Sequence, residues 1–367
     1  MKQAIPQDSF QKKMIWLTHE YPPFRGGVAT YCYEVIKAAQ TLELPFEVWS
    51  PKRPLECGST LSPWNLLKMI LSVQKREKNF EGCDLLLASI MAHRAAMILF
   101  FLGQLKTCRL HSLIHGSEIL KFQNSWFWNF LAKRFFKKIK TVFVASEFSK
   151  NLVLRHFPHC NIVIAPCAVG SSVAKEIKSG HTPPPFRILT LARIHPRKGQ
   201  LATARSLALL PSHLKKKIVY QIAGKGDPHY LQGVLNFCKS NQIACEYLGE
   251  IEENQLAETY AHADLLMMTS CAMKNSVEGF GISYLEAGWH GKPAIAFDTG
   301  GVSEAVLHNR TGLLVKENDL AAAAQAVQKL IEDNALRFLL GQQAADFARS
   351  FQWTTTAQII FYTKSKK

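Results

Sequence analysis

The chain has 367 residues, enough for two domains of about 150 residues each or one large one. Apolar residues make up 47% and charged residues 20%, which excludes disordered and fibrous classes. The net charge is +16, of which +12 lies in residues 1–180, so the first half calls for a negatively charged partner: nucleic acid, an anionic membrane surface or a phosphorylated substrate.

Nine cysteines without a C-x-x-C pair suit a reducing cytosol better than a disulfide framework. Met1–Asp8 lacks an apolar stretch, so no signal peptide is expected. The longest apolar run, Ala95 to Leu105, falls short of the ~20 residues that span a bilayer. The expectation is a cytoplasmic protein with, at most, a peripheral seat on the inner face of the cytoplasmic membrane.

Strand-like runs in the first half are Met14–Thr18, Phe46–Ser50, Asp84–Ala88, Arg109–Ile114, Thr141–Val144 and Asn161–Ala165. Helical patterns lie between them at Val28–Leu42, Ala92–Leu105, Ser125–Lys138 and Phe148–His156. The stretch from Ser179 to Pro185 reads as a linker by composition. The alternation then restarts with Arg187–Leu191, Ile218–Ala223, Cys245–Leu248, Asp264–Met268 and Ala294–Phe297. This pattern predicts an α/β protein with two doubly wound parallel sheets: residues 1–175, a linker at 176–185, and 186–349. Ligands belong at the carboxyl ends of the strands, in the cleft between the sheets.

The most informative segment runs from Ser276 to Ala287 and holds two carboxylates eight residues apart, Glu278 and Glu286, with Gly279 and Gly281 close after the first. The glycines permit close backbone approach, and a helix beginning near Ile282 offers free N–H groups to an anion. One loop-to-helix unit thus supplies carboxylates for hydroxyls and amides for phosphate, the needs of a nucleotide sugar. The plainer alternative is a helix N-terminus with an acidic residue before it and a surface Glu.

This segment resembles the E-x7-E motif of the retaining GT-B glycosyltransferases of family GT4, and other segments follow in that family's order. His290–Ala296 and Gly300–Glu304 resemble its "GxPVIA…GGxxE" run, Leu191–Gly199 its "GRL…KG" segment, and Gly224–Pro228 its "GxGP" turn. Tyr21–Val28 is similar to its first glycine-rich loop, and Ser146–Lys150 and Phe351–Trp353 also fit. The similarity runs from about residue 14 to 355. It implies the GT-B fold, with two Rossmann-like domains facing a cleft and the segment 350–367 crossing back onto the first.

The resemblance also implies roles. Arg193 and Lys198 neutralise a diphosphate. Glu278 holds donor sugar hydroxyls, with Gly279, Phe280, Gly281 and Ile282 around the phosphates, and Glu286 takes the ribose. Gly26 and Gly27 approach phosphate or acceptor, Glu250 and Ile251 form a weaker base site, and His115 orients the donor at the reacting carbon. His111, four residues earlier, reads as structural; no third ligand for a metal pair is evident, HExxH and D-x-D are absent, and no metal or other cofactor is expected. Two departures stand out: Pro166–Gly170 reads P-C-A-V-G where the family often has P-N-G-V-D, and Ala192 stands where Gly is usual.

The implied activity is retaining transfer from a nucleoside-diphosphate sugar to a lipid-linked or cell-envelope glycan, such as a glycolipid or lipopolysaccharide core. A soluble sugar or small-molecule acceptor, an epimerase or phosphorylase relative, and an inactive nucleotide-sugar binder are the rivals. Trp126–Lys140, aromatic then basic, suits an anionic membrane surface or simply a solvated helix face. The same stretch lacks RNP, KH or helix-turn-helix patterns, so no nucleic-acid partner is expected.

Overall fold

The structure is a computed structural model that describes residues 13–24, 26–50, 63–74, 83–105, 108–177 and 185–363. The segment Met1–Asp8 and most of the expected linker, 178–184, lie outside the described residues, as does Arg25 of the first glycine-rich loop.

Among the described residues, twelve strands form two six-stranded sheets. The first contains β1 (Met14–Leu17), β2 (Phe46–Trp49), β3 (Asp84–Leu87), β4 (Arg109–Ile114), β5 (Ile139–Val144) and β6 (Ile162–Ile164), in the order β2-β1-β3-β4-β5-β6. The second contains β7 (Phe186–Leu191), β8 (Ile218–Ala223), β9 (Cys245–Gly249), β10 (Leu265–Met268), β11 (Ala294–Asp298) and β12 (Gly312–Lys316), in the order β12-β11-β10-β7-β8-β9. Every pairing is parallel. Strand order reverses between β1 and β3 and between β7 and β10, and each reversal opens a crevice at the carboxyl ends of the strands.

Both sheets are covered by helices on both faces, which is why β1, β3, β10 and β11 read as near-continuous apolar runs and are buried almost throughout. Each large apolar side chain so buried contributes roughly 1.5–3 kcal/mol before the ordering entropy is counted. Local signals set the helix starts. Ser89 accepts the Ala92 N–H ahead of Ile90–Phe101, Ser146 accepts the Ser149 N–H ahead of Glu147–His156, and Asp227 caps Pro228–Ser240, which has proline in its first position. Among the elements that the sequence patterns do not single out are the helix Pro63–Gln74 and strand β12.

The helix Trp353–Tyr362 follows the second sheet in the chain but packs on the first helix, Gly27–Thr41. The Trp353 indole N–H donates to the Val169 carbonyl at 3.0 Å, and the Thr356 hydroxyl donates to the Pro166 carbonyl at 2.7 Å. The Trp353 ring meets Tyr31 edge-on at 5.2 Å. The loop Pro166–Gly170 is thus engaged by the last helix, and Cys167, Ala168 and Val169 are buried beneath it. The eight described cysteines are all free thiols.

Candidate active site

The site forms where the loops after β1 and β4 meet those after β7 and β10. On the second side, β7 leads through Ala192 and Arg193 into a single 3-10 turn, Pro196–Lys198. His195 caps this turn by accepting the Arg197 N–H on Nδ1 at 3.1 Å, proline occupies its first position, and Gly199 closes it with φ 79°. A Cβ on Gly199 would collide with the Thr269 carbonyl just after β10, so only glycine lets the turn lie against that strand end. The turn is thereby fixed beside the 276–281 loop.

That placement brings Lys198 and Glu278 together. Lys198 Nζ stands 2.7 Å from Glu278 Oε2, and Arg197 Nη1 stands 3.0 Å from the same oxygen. All three side chains are largely buried, with 8% of Arg197, 16% of Lys198 and 12% of Glu278 exposed. Desolvation alone would push the Glu278 carboxyl up, but Lys198 and Arg197 reverse it and hold the group at about 2. Desolvation lowers the Lys198 ammonium, and Glu278 limits the fall. Arg193, by contrast, is exposed and forms no ion pair among the described residues. Arg197 escaped the sequence reading because a lone Arg beside a Lys reads as a surface cation; the only hint was its place in the turn that carries Lys198.

Beyond Glu278, Gly281 adopts φ 100° as the N-cap of the helix Ile282–Trp289, with the Tyr284 ring over its backbone. The Tyr284 N–H turns back to the Gly281 carbonyl at 3.1 Å, but no side chain among the described residues caps this helix, so the Ile282 and Ser283 N–H groups keep their donor capacity toward an anion. Phe280 is buried and meets Phe351 edge-on at 6.0 Å, so what it can offer the cleft is its main chain. Glu286 lies in the second turn, buried, and accepts the Tyr260 hydroxyl proton at 2.6 Å. Burial raises its carboxyl above the ordinary value, with the Tyr260 bond opposing. Glu250 and Ile251 follow the end of β9, some distance along the sheet edge; Glu250 is exposed, with Lys225 at 3.9 Å.

The first sheet supplies the opposite wall. His115 follows the end of β4, its N–H donating to Glu118 Oε2 at 3.1 Å and its ring meeting Tyr31 edge-on at 5.1 Å. Its Nε2 is buried without a hydrogen-bond partner among the described residues, and burial lowers its imidazole, which favours the neutral ring. His111 instead faces Asp84, at 3.4 Å, and stacks on Phe143, as a structural side chain does. Gly26 has φ 142° and precedes Gly27, the first residue of the helix Gly27–Thr41; a Cβ on either would meet nothing within 4 Å among the described residues. Glu20, after β1, is pushed up to about 7 by burial and then by Glu118, with Lys121 and Arg193 opposing.

The two walls are joined directly. The Ser146 hydroxyl donates to the Gly279 carbonyl at 2.6 Å, and Ser117 bonds to Ser276 and Val277. Asn124 bonds to Lys274 and Asn275. Glu304 takes the Glu147 and Phe148 N–H groups, one on each carboxylate oxygen at 2.7 Å, at the N-terminus of Glu147–His156, where the helix dipole favours a negative charge. The loop carrying Glu278 is therefore clamped between the starts of two helices of the first sheet. Among the described residues no group of three or more His, Cys, Asp or Glu side chains could hold a metal ion.

Residues 174–347 match the family model described as "Glycosyl transferases group 1". The chain is 31% identical over 185 residues to a D-inositol 3-phosphate glycosyltransferase of Pseudarthrobacter chlorophenolicus, covering 49% of this chain and 42% of that protein. It is 30% identical over 198 residues to a GDP-mannose-dependent alpha-(1-6)-phosphatidylinositol monomannoside mannosyltransferase of Mycobacterium tuberculosis, covering 52% of this chain and 49% of that one. The chain thus spans less than half the length of these two curated relatives. Among solved structures, sucrose-phosphate synthase of Thermosynechococcus elongatus superposes with a TM-score of 0.79 at 18% identity, covering 95% of this chain and 97% of that one. HepE of Anabaena, solved with UDP-glucose, superposes with a TM-score of 0.73 at 19% identity, covering 96% and 98%. The chain carries the two-domain GT-B fold, and its segment 174–347, which holds Lys198, Glu278 and Glu286, is the part that matches the glycosyl transferases group 1 family.

Proposed function

We propose that the protein transfers a sugar from a nucleoside-diphosphate sugar, with retention at the anomeric carbon, to a lipid-linked or cell-envelope glycan. The observation that carries this reading is the buried contact of Lys198 with Glu278, beside an uncapped helix N-terminus and with the next residue, Gly279, against the His115 main chain. Cations and helix amides suit a diphosphate, and a carboxylate with a free oxygen suits sugar hydroxyls.

In this reading Lys198, Arg193 and the Ile282 helix start stabilise the diphosphate as the bond from anomeric carbon to phosphate oxygen breaks and its electron pair leaves with the phosphate. The acceptor oxygen forms its bond on the same face, and its proton passes to the departing phosphate. Glu278 holds the donor sugar, Glu286 the ribose, and His115 orients the reacting centre with a neutral ring. Gly26 and Gly27 let the main chain come close to phosphate or acceptor, and Glu250 and Ile251 border the base. The relatives named for GDP-mannose and the neighbour solved with UDP-glucose make these two donors the first to test.

A membrane-borne acceptor is supported by the first domain's surface. Trp126 is 82% exposed, Phe127 and Phe130 lie beside it in the open, and Lys133 and Arg134 follow in the last turn of the helix Trp126–Phe135, with Lys137 and Lys138 just beyond. Each basic group near an anionic surface adds about 1 kcal/mol of attraction. The Ala95–Leu105 run contributes less: Ala95, Ala96, Met97, Leu99 and Leu105 are core, and only its Phe101 and Leu102 are exposed large apolar residues. No helix of the described residues is long and apolar enough to cross a membrane. The test is incubation with UDP-glucose and GDP-mannose in the presence of envelope lipid extract, with mass spectrometry of the product and its anomeric configuration read by NMR. A product of retained configuration on a lipid fraction is expected; hydrolysis alone, inversion, or no sugar transfer from either donor would count against the reading.

A further inference from the structure

Arg197 stands outside the residues that the motifs single out, and its surroundings are unusual for a cation. Its side chain is largely buried, its Nη1 bonds to Glu278 Oε2, and its Nε is buried with no hydrogen-bond partner among the described residues. Its main chain is held on both sides: its N–H donates to His195 Nδ1, and its carbonyl accepts the Cys271 N–H at 2.9 Å. Lys198 reaches the same Oε2, so two cations share one carboxylate oxygen while Oε1 takes no partner among the described residues.

One cation suffices to neutralise Glu278. The second leaves the buried triad with a surplus positive charge, which costs desolvation energy until an anion arrives. The two cations also differ in freedom. The Arg197 guanidinium sits on a backbone pinned at both its N–H and its carbonyl, whereas the Lys198 ammonium ends a flexible four-carbon stem and is the more exposed of the two.

We propose that Arg197 is the standing counter-ion of Glu278, a positioning residue that keeps this carboxylate paired and oriented while Lys198 turns to the donor diphosphate. This rests on the reading of the cleft as a nucleotide-sugar site. Without Arg197 an arriving diphosphate must take Lys198 away from a buried carboxylate that has no other partner, and breaking such a pair is strongly unfavourable. Direct contact between Arg197 and phosphate has a different signature, because its loss then weakens binding whatever residue occupies position 278.

A double-mutant cycle on the full chain separates the two, with UDP and GDP as calorimetric probes. Arg197→Gln should weaken the nucleotide that the wild type binds by about tenfold. In a Glu278→Gln background the same substitution should change binding by less than about twofold, because no carboxylate then holds Lys198 back. Arg197→Lys should recover most of the affinity. Equal weakening in both backgrounds would overturn the proposal and make Arg197 a phosphate ligand. If Arg197→Gln alone does not fold, the double variant decides: folding with nucleotide affinity at the Glu278→Gln level supports the proposal, and failure to fold refutes it. A wild type that binds neither nucleotide overturns the donor-site reading itself, and the proposal with it, before any substitution is made.

Discussion

Gly279 lies so close to His115 that a Cβ on it would collide with the His115 carbonyl oxygen. The residue after the Glu278 carboxylate thus touches the residue that follows β4, and the two domains meet main chain to main chain at the centre of the site.

This contact makes Gly279→Ala a sensitive probe. The added methyl must push the loop or the His115 strand end aside, a shift of about 1 Å that costs up to about 10²-fold in turnover when reacting groups are misplaced. Steady-state assay should show that loss, while thermal melting records only an overpacking cost of about 1–3 kcal/mol. Wild-type turnover in this variant would mean that the closed arrangement is not the working one.

Much of this site was legible because its signals are local. Glu278 and Glu286 sit within one short segment, Lys198 sits in the "KG" turn, and alternating apolar runs marked eleven strands; β4 and β8 have the bounds that the runs predicted. What the chain does not announce is long-range pairing. Glu304 and the Glu147–Phe148 amides are more than 150 residues apart, and neither end alone signals the other. Arg197 is indistinguishable in sequence from a solvated cation until the close approach of Gly199 to the Thr269 main chain, which leaves no room for a Cβ, fixes where its turn must lie. The helix Pro63–Gln74 was overlooked because its periodicity is blurred, with Leu67 and Leu71 exposed and Met69 and Val73 buried. Strand β12 escapes the pattern because it opens on Gly312, which lies against the main chain of Ala294 where a Cβ would not fit.

Two carboxyls near the cleft give opposite pH signatures. Glu20 is pushed up to about 7, so the folded protein holds its proton more tightly than an unfolded chain with a value of 4.5. That stabilisation is complete below about pH 4.5 and is lost as pH rises to about 7. Glu278 has the reverse sign: held at about 2, its contribution is present above about pH 4.5 and lost as pH falls toward 2. Glu20→Gln should therefore remove a fall in stability between pH 5 and 8 and leave the variant more stable than wild type at pH 8. The gain is about 1–3 kcal/mol, toward the low end because 31% of the Glu20 side chain reaches solvent. Chemical denaturation at the two pH values measures it, and identical slopes in the two proteins would contradict the assignment.

The basic helix end makes a separate prediction about the acceptor. Wild type should sediment with vesicles rich in phosphatidylglycerol at low salt and be released as salt rises. Reversing Lys133, Arg134, Lys137 and Lys138 to Glu should abolish that sedimentation while nucleotide binding persists, because these residues lie on the helix Trp126–Phe135 and the turn after it, away from the strand ends that carry the site. Undiminished vesicle binding by the variant shows that the patch is not the anchor. Absence of sedimentation by wild type favours a soluble acceptor.

The role proposed for Lys198, stabilising a departing diphosphate, is tested most directly by single-turnover release of the nucleoside diphosphate. With saturating donor and acceptor, Lys198→Ala should lower the rate by about 10²-fold relative to wild type, the loss of one donor to the transition-state charge. Circular dichroism should confirm an unchanged fold. A Lys198→Ala protein that is folded, saturated with donor and as fast as wild type would contradict the account.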